Sequence, residues 1–401
     1  MNTIIFHIDV NSAYLSWTAA ELLRKDPNGV DIRTIPAIIG GDRTTRHGIV
    51  LAKSLPAKKS YHIETAEPVA SALRKCPNLT IIPPDHELYA RRSRELMDYL
   101  RTLSPDIEQV SIDECYLDFT GIAHRYPSYM EAARQIRDTV RTQMGFTVNV
   151  GISSKKVLAK MASDFEKPDK THTLFPNELS SKLWHLPISR LHMAGHSSAK
   201  TLGKLGILTI GDLAHTDPDL LSLHLKSHGR LLWEYANGID DTPVASAPSQ
   251  LKGIGNSTTL ASDVTSAVEA KQILRRLCDK VALRLRADHS LAASVCVEIK
   301  YNTFARVSHQ MQLSSPTQTG ETLYTHVCSL FDALWDGTPI RLLGVRTGKL
   351  VKPDAPVQLT IFDYTPENTQ QKKKREKLDA ALDKIRNKYG KDAVQRGKTK
   401  M

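Results

Sequence analysis

Two adjacent carboxylates inside an apolar, β-branched and aromatic run constrain this chain more than any other feature. They are Asp113 and Glu114 in the stretch VSIDECYLDF, residues 110–119. Unless they are wet acids at a strand edge, they need a partner, because a buried charge is costly when it is neither paired nor bound to a metal. Side chains alternate between the two faces of a straight strand. We therefore expect a bend, with antiparallel strands at 108–112 and 115–119 and both acids in the connecting turn.

A third carboxylate, Asp9, ends the run TIIFHID at residues 3–9, which predicts a short buried strand followed by a helix from Asn11-Ser12. We expect Asp9 to lie near the acidic pair. Three carboxylates with few compensating cations would favour Mg²⁺, which binds through a few carboxylates plus substrate phosphates. Two such ions about 4 Å apart can clamp the attacking and leaving oxygens of a phosphoryl transfer. On its own the pattern is weak evidence, since Asp-Glu dipeptides are common.

The pattern of apolar residues predicts several modules. Strand-like and helical runs alternate up to about residue 172, which indicates an α/β or α+β fold. Residues 175–240 are helical throughout, and residues 241–250, rich in proline and small residues, are typical of a linker. A compact α+β domain is expected over 251–351, with helices at 266–288 and 320–335 and strands at 294–301, 305–314 and 341–350.

Charge and composition limit the classes of protein to which this chain could belong. The net charge is +11, and residues 365–401 hold 12 Lys and Arg against 5 Asp and Glu. A polyanionic partner such as nucleic acid would explain this excess of positive charge, and so would a tail that only keeps the protein soluble. No apolar run is long enough to span a membrane and no signal peptide is evident, so we expect a cytoplasmic location. The 5 cysteines are scattered, and the pairs His192/His196 and His224/His228 have no third ligand nearby.

Four ordered motifs resemble one family: HIDVNSAYLSW, IPAIIGG with HGIVLAKSLPAKK, SIDECYLDF, and VGISSKKVLAKMASDFEKPD. Across residues 1–362 the chain is similar to a Y-family, translesion-type DNA polymerase of the bacterial DNA polymerase IV group. The resemblance implies a multidomain α+β, right-hand fold. Its parts would be a palm (1–11 and 79–172), fingers (12–78), a helical thumb with a helix-hairpin-helix (173–240), the linker (241–250), an α+β little finger (251–351), and a clamp-binding peptide with a basic tail (352–401).

The resemblance also implies roles at the active site. Asp9, Asp113 and Glu114, with the backbone carbonyl of Val10, would hold two Mg²⁺ ions. Tyr14 would be the steric gate that rejects a ribose 2′-hydroxyl, although Ala13 replaces an aromatic that often precedes it. The family commonly has a Tyr and an Arg on the triphosphate at positions 55 and 58, where this chain has Leu55 and Lys58. Lys58 can still neutralise phosphate, as a point charge rather than a bidentate fork.

Lys167 matches the palm lysine that faces the phosphates of the dNTP. In the thumb, Gly195 belongs to the hairpin that presents backbone N–H groups to a DNA phosphate, and Met193 stands where the first glycine of that turn is usual. Lys300 and Arg306 would lie on a basic, DNA-facing sheet of the little finger.

Gln358, Leu359, Ile361 and Phe362 resemble the peptide that docks bacterial polymerases on the sliding clamp (β subunit). A strand that packs back on the protein is the alternative for this segment.

The function expected from the resemblance is template-directed addition of dNTPs to a primer 3′-hydroxyl, with low fidelity, in translesion synthesis. Too little chain remains for a proofreading exonuclease, and we expect a monomer. One alternative is a catalytically dead, DNA- and clamp-binding accessory factor. A second is a palm-like nucleotidyl cyclase, which shares the paired carboxylates but needs neither a DNA-gripping thumb nor a clamp peptide.

Overall fold

The computed structural model describes residues 3–41, 48–247 and 250–354, with residues 378–379, 381–385, 388–390 and 393–394 of the tail. The chain divides into two compact units, Met1–Pro248 and Ser249–Met401. The division falls inside the segment 241–250 that the sequence marks as a linker.

The first unit is organised around a five-stranded sheet in the order β5-β6-β1-β7-β8. The central strand β1 pairs antiparallel with β6 on one side and with β7 on the other. Its apolar residues pack into one core with α1, α4 and α5, in which Phe6 stacks on Phe119 at 4.6 Å between ring centroids. The strands are β1 (Ile5–Val10), β5 (Ile107–Gln109), β6 (Glu114–Asp118), β7 (Val148–Ser153) and β8 (Thr171–Thr173), and the helices are α1 (Ala13–Lys25), α4 (His86–Leu103), α5 (Tyr129–Thr139) and α6 (Lys156–Ser163).

A smaller sheet in the order β3-β2-β4 has its own apolar core. Its β2 and β3 are antiparallel, whereas β2 and β4 are parallel. The elements here are β2 (Ala37–Gly40), β3 (Val50–Lys53), α2 (Leu55–Tyr61), α3 (Val69–Lys75) and β4 (Thr80–Ile82).

The rest of the first unit is helical and shares an apolar core with α6. It consists of α7 (Leu179–Lys182), α8 (His196–Lys204), α9 (Ile210–Ala214), α10 (Pro218–Leu225) and α11 (Ser227–Ala236).

The second unit is a four-stranded antiparallel sheet in the order β11-β10-β12-β9, with two helices packed on one face. Its elements are β9 (Gly255–Val264), α12 (Ala267–Ala287), β10 (Leu291–Tyr301), β11 (Arg306–Thr317), α13 (Gly320–Leu334) and β12 (Ile340–Val351). Every helix and strand that the sequence predicts in this unit is present. Strand β9 was missed because few of its side chains are apolar and only two of its ten residues are buried, which is compatible with its place at the edge of the sheet.

The sequence gives no sign of pairing among the cysteines, and all five are free in the structure. No helix among the described residues has the length and apolar character needed to cross a membrane.

Candidate active site

The three predicted acids meet where β1 ends. Asp9 lies directly opposite Glu114 in the β1–β6 register. The backbone N–H of Val10 donates to the carbonyl of Asp113 at 3.0 Å, which ties the turn after β5 to the end of β1. The chain bends as predicted, but only Asp113 lies in the turn, since Glu114 is already the first residue of β6.

Two lysines neutralise these acids, contrary to the expectation of few compensating cations. Nζ of Lys160 lies 2.5 Å from Oε2 of Glu114 and 3.5 Å from Oδ2 of Asp9. Nζ of Lys167 lies 3.1 Å from Oδ1 of Asp9. Lys160 is not among the site residues predicted from the sequence. The available signal was a lysine among the apolar residues of α6, most of which are buried, and only 14% of its side chain is exposed.

Lys160 reaches the acids because α6 lies directly against β7. A Cβ on Gly151 of β7 would overlap the carbonyl oxygen of Ala159 and the amide nitrogen of Ser163, so this approach requires glycine. Below the acids, His7 is fully buried. Its Nδ1 lies 2.8 Å from the hydroxyl of Ser163, and its Nε2 lies 3.4 Å from Oε2 of Glu114.

The two adjacent acids have opposite pKa shifts. Contacts with His7 and then with Lys160 lower the pKa of Glu114 to about 2. Because the His7 contact is long and the Lys160 contact is 2.5 Å, we regard the ammonium group as the stronger partner. Burial raises the pKa of Asp113, and the nearby charges of Asp9 and Glu114 raise it further, against a 2.7 Å hydrogen bond from Ser111. Asp113 is therefore the carboxylate in greatest need of a cation.

A pocket of about 540 Å³ opens beside the acids. Asp9, Asp113 and Lys167 form part of its lining, together with Tyr14 from α1 and Lys58 from α2. The pocket therefore has a carboxylate side, an aromatic wall and cationic groups, all within the first unit.

The aromatic wall is rigid. The ring of Tyr14 stacks on that of Tyr89, which is fully buried, with 4.2 Å between centroids and 6° between planes. His86 packs edge-on against Tyr14 at 6.2 Å. Burial, followed by the charge of Asp113, raises the pKa of the Tyr14 phenol. A ring held in this way cannot move aside without breaking the stack.

The cationic part of the pocket has a lysine that the sequence analysis did not single out. Lys53 lines the pocket with Lys58 and Leu55. Burial, followed by the charge of Lys58, lowers the pKa of Lys53. The positions where the family commonly has a Tyr and an Arg therefore face the pocket here as Leu55 and Lys58, and Lys53 adds a second cation to that wall.

The loop that carries Lys167 is held by two buried asparagines. The side-chain amide of Asn149 donates to the carbonyls of Ser163 and Glu166 at 3.1 and 2.6 Å, and its oxygen accepts from the backbone N–H of Lys170 at 3.2 Å. Asn11 donates to the Asn149 oxygen at 3.0 Å and accepts from the N–H of Asp169 at 2.9 Å. These hydrogen bonds therefore hold the backbone both before Lys167, at Glu166, and after it, at Asp169.

The donors at this site have the chemistry that a divalent cation prefers, although the structure does not arrange them around one. The side chains that meet here present hard carboxylate oxygens, and ammonium groups lie against two of the three carboxylates, those of Asp9 and Glu114. Among the described residues, no group of three or more His, Cys, Asp or Glu side chains is arranged to hold a metal ion. That observation covers the two histidine pairs as well as the acids.

The hairpin before α8 contains a strained residue. Met193 has φ 69°, a left-handed conformation, and its side chain is 53% exposed. The N–H of Gly195 donates to the carbonyl of Met193 at 3.0 Å, and α8 begins at the next residue. The turn therefore adopts the backbone that glycine would favour, with methionine in its place.

Replacing Met193 by glycine should stabilise the protein. A non-glycine residue in the left-handed region costs about 1–2 kcal/mol, and the entropy of glycine in the unfolded chain offsets part of the gain. We expect Met193→Gly to raise the free energy of unfolding by about 0.5–1 kcal/mol in urea titrations. Met193→Ala keeps a Cβ at this φ and is the matched control. A glycine variant no more stable than the alanine variant would contradict the strain.

The remaining predicted sites lie elsewhere. Lys300 and Arg306 are direct partners in the β10–β11 register. Gln358, Leu359, Ile361 and Phe362 lie outside the described residues.

Comparison with known proteins identifies the family. The model of the impB/mucB/samB family matches residues 8–164, and that of the C-terminal domain of the same family matches residues 251–361. DNA polymerase IV of Clostridium acetobutylicum is 42% identical over 396 residues, which cover 99% of this chain and 98% of the relative. DNA polymerase IV 1 of Bacillus subtilis is 33% identical over 398 residues, covering 99% and 93%.

A solved Y-family DNA polymerase chimera superimposes with a TM-score of 0.75 at 20% identity, covering 87% of this chain and 99% of the chimera. This match confirms the predicted fold class, a right hand with palm, fingers, helical thumb and α+β little finger. The family models and full-length relatives add the enzymatic class. The chain therefore belongs to the impB/mucB/samB family, and it is a DNA-directed DNA polymerase with the Y-family fold.

Proposed function

We propose that this chain extends a primer 3′-hydroxyl with dNTPs by two-metal phosphoryl transfer, as a low-fidelity polymerase of translesion synthesis without proofreading. The observation that carries the proposal is the convergence of Asp9, Asp113 and Glu114 beside a pocket with lysines and a rigid tyrosine on its other walls.

The residues have distinct tasks in this proposal. Asp9, Asp113, Glu114 and the carbonyl of Val10 would hold two Mg²⁺ ions, which when bound lower the pKa of the attacking hydroxyl and neutralise the phosphates. Lys160 and Lys167 hold the side chains of Asp9 and Glu114 in place through ion pairs. Lys58 and Lys167 bind triphosphate oxygens, and Tyr14 packs under the sugar.

Primer extension on a primed template, with Mg²⁺ and dNTPs, tests the proposal. The protein should add nucleotides dictated by the template, and chelation of the metal should stop it. Consumption of NTP without DNA would instead favour a nucleotidyl cyclase. Clamp and DNA binding with no extension would favour an accessory factor and contradict the proposal.

Asn149 should affect the KM for dNTP indirectly, because it holds the loop that carries Lys167. Losing a hydrogen bond to a charged group costs about 1.5–3 kcal/mol, so Lys167→Met should raise KM for dNTP by about 10- to 100-fold. Asn149→Leu releases the loop and should raise KM about tenfold with little change in kcat. When combined with Lys167→Met, it should raise KM no further, because the two substitutions remove one interaction.

Ser153→Ala is the matched control for Asn149→Leu. Ser153 is fully buried on the same strand, and its hydroxyl donates to the carbonyl of Leu174 at 2.5 Å, away from Lys167. It should lower stability but leave KM unchanged. Additive effects of Asn149→Leu and Lys167→Met on KM would show that Asn149 affects dNTP binding independently of Lys167 and would contradict the proposed link.

Primer–template DNA would contact two further regions. The turn at Gly195, followed by the N-terminus of α8, would bind a backbone phosphate. Lys300 and Arg306, on the sheet of the second unit, would add phosphate contacts that do not depend on sequence. Affinity for DNA should then fall steeply as salt rises.

The segment Gln358–Phe362 would dock the polymerase on the bacterial sliding clamp through Leu359, Ile361 and Phe362. Deleting it should abolish stimulation of synthesis by the clamp and leave basal extension intact. Deleting the polar residues 368–372, also five in number, is the matched control. Equal loss of basal and stimulated synthesis would argue against docking. We further propose that the protein is a monomer and that it acts in the cytoplasm.

A further inference from the structure

The loop between β10 and β11 contains a phenylalanine in an unusual backbone conformation. Phe304 has φ 70°, in the left-handed region, and its N–H donates to the carbonyl of Tyr301 at 3.0 Å. The N–H of Tyr301 donates to the carbonyl of Ala305 at 2.9 Å and closes the loop. Hairpins of this kind usually place glycine in the left-handed position. A bulky side chain there costs about 1–2 kcal/mol, so the backbone conformation of the loop does not by itself favour phenylalanine.

The ring of Phe304 is presented to solvent between two cations. Its side chain is 60% exposed. Nζ of Lys300 lies 4.4 Å from the ring centroid and the guanidinium carbon of Arg341 lies 4.7 Å from it. An exposed cation–π contact is worth about 0.5–1 kcal/mol, so the two contacts together roughly offset the backbone strain. They hold the ring in position without covering it.

The same region of the sheet carries further positive charge. In β10, Val295, Val297 and Ile299 are buried in the core with the helices, so Lys300 belongs to the opposite face. Arg306 pairs with Lys300 in register. Arg346 pairs with Cys296, which alternation also places on that face.

Two of the cations already have acidic partners. Arg306 is paired with Glu298 at 2.9 Å, and Arg341 with Asp263 at 3.5 Å. The face nevertheless combines an aromatic ring with several cationic groups, which suits an anionic ligand that has flat apolar surfaces.

We propose that Phe304 stacks on an unpaired base of single-stranded DNA, while Lys300 and Arg341 bind the flanking phosphates. Aromatic rings set among cations are how proteins bind single strands without reading sequence. A paired base inside a duplex has both faces covered by its neighbours, and a terminal base at a blunt end has no phosphate beyond it. The ring and its two cations therefore fit an unpaired base within a strand. This inference rests on the proposed function, because a template ahead of the primer end supplies such a strand.

Binding of the full chain to two labelled DNAs tests the inference by fluorescence anisotropy. One is a primer–template with a 5′ single-stranded overhang, and the other is a blunt duplex of the same paired length. Loss of one stacked base costs about 1–3 kcal/mol. Phe304→Ala should therefore weaken binding to the overhang DNA by about 5- to 100-fold and binding to the blunt duplex by less than twofold. Phe304→Trp should bind both as the wild type does.

Val268→Ala is the matched control, since Val268 is another exposed apolar side chain of the same unit, 46% exposed on α12. It should change neither affinity. Unchanged overhang binding by a folded Phe304→Ala protein would overturn the inference, and so would equal weakening on both DNAs, which would make the ring a support for phosphate contacts. Failure of the wild type to bind either DNA would count against the proposed function instead.

Discussion

Asp113→Asn should abolish primer extension while leaving the protein at least as stable as the wild type. The substitution keeps the shape of the side chain and removes the charge that a divalent cation would balance. Metal ions stabilise charge in the transition state by several kcal/mol, so we expect a loss of about 10³-fold or more in kcat, equivalent to about 4 kcal/mol. Steady-state extension of a primed template measures it.

The stability of Asp113→Asn should not fall together with its activity. Burial raises the pKa of Asp113, which means that its charged form is less favourable in the folded protein than in the unfolded chain. Above the unfolded pKa the wild type therefore bears a cost that the neutral amide avoids. The free energy of unfolding of Asp113→Asn at neutral pH should equal or exceed that of the wild type, and the difference should shrink as pH falls and the wild-type carboxyl becomes protonated.

Asp118→Asn is the matched control. Asp118 lies on the same strand as Glu114, opposite Ile5, and its Oδ1 accepts a 2.8 Å hydrogen bond from the N–H of Thr120 that an amide oxygen can also accept. Its extension rate should stay within about twofold of the wild type. An Asp113→Asn protein that extends primers normally would remove Asp113 from the metal site.

Tyr14→Ala should let the polymerase accept ribonucleotides. The ring stacks on buried Tyr89 and, as the proposed steric gate, would exclude a ribose 2′-hydroxyl in the wild type. Removing the ring opens that space, and we expect the ratio of kcat/KM for dNTP over rNTP to fall about 100-fold, or about 2.7 kcal/mol. Single-nucleotide incorporation with matched dCTP and rCTP opposite a template guanine measures the ratio.

Tyr14→Phe separates the ring from the hydroxyl. It retains the stack on Tyr89 and should discriminate as well as the wild type. If Tyr14→Ala rejects ribonucleotides as strongly as the wild type, Tyr14 is only part of the aromatic core around Trp17, and another group sets sugar selection.

Much of the fold was predictable because its elements have strong local patterns. The apolar run before Asp9 predicted a strand, which is β1, and the helices expected at 266–288 and 320–335 are α12 and α13. The bend at Asp113 and Glu114 followed from the two-residue period of a strand. Strand β8, of three residues, and the exposed edge strand β9 were missed, because neither has an apolar alternation to detect.

The site was predictable in its chemistry and less so in its charge balance. Three acids and Lys167 were recognised from the residues and the family motifs. The role of Asn149 had no signal in the sequence, since a lone asparagine in an apolar strand is compatible with many structures. Only the folded chain shows that its amide spans from β7 to the loop that carries Lys167.

The sequence by itself determined the family, the fold class and two acids that line the pocket, Asp9 and Asp113, because these depend on local periodicity and on short motifs. Tertiary structure alone decided which cations the acids of the site meet. Lys160 is 46 residues from Glu114 in the chain, yet its ammonium group is 2.5 Å away, because glycine at position 151 lets α6 lie directly on the sheet. A charge is stabilised or opposed by whatever packs around it, and that is settled only when distant segments come into contact.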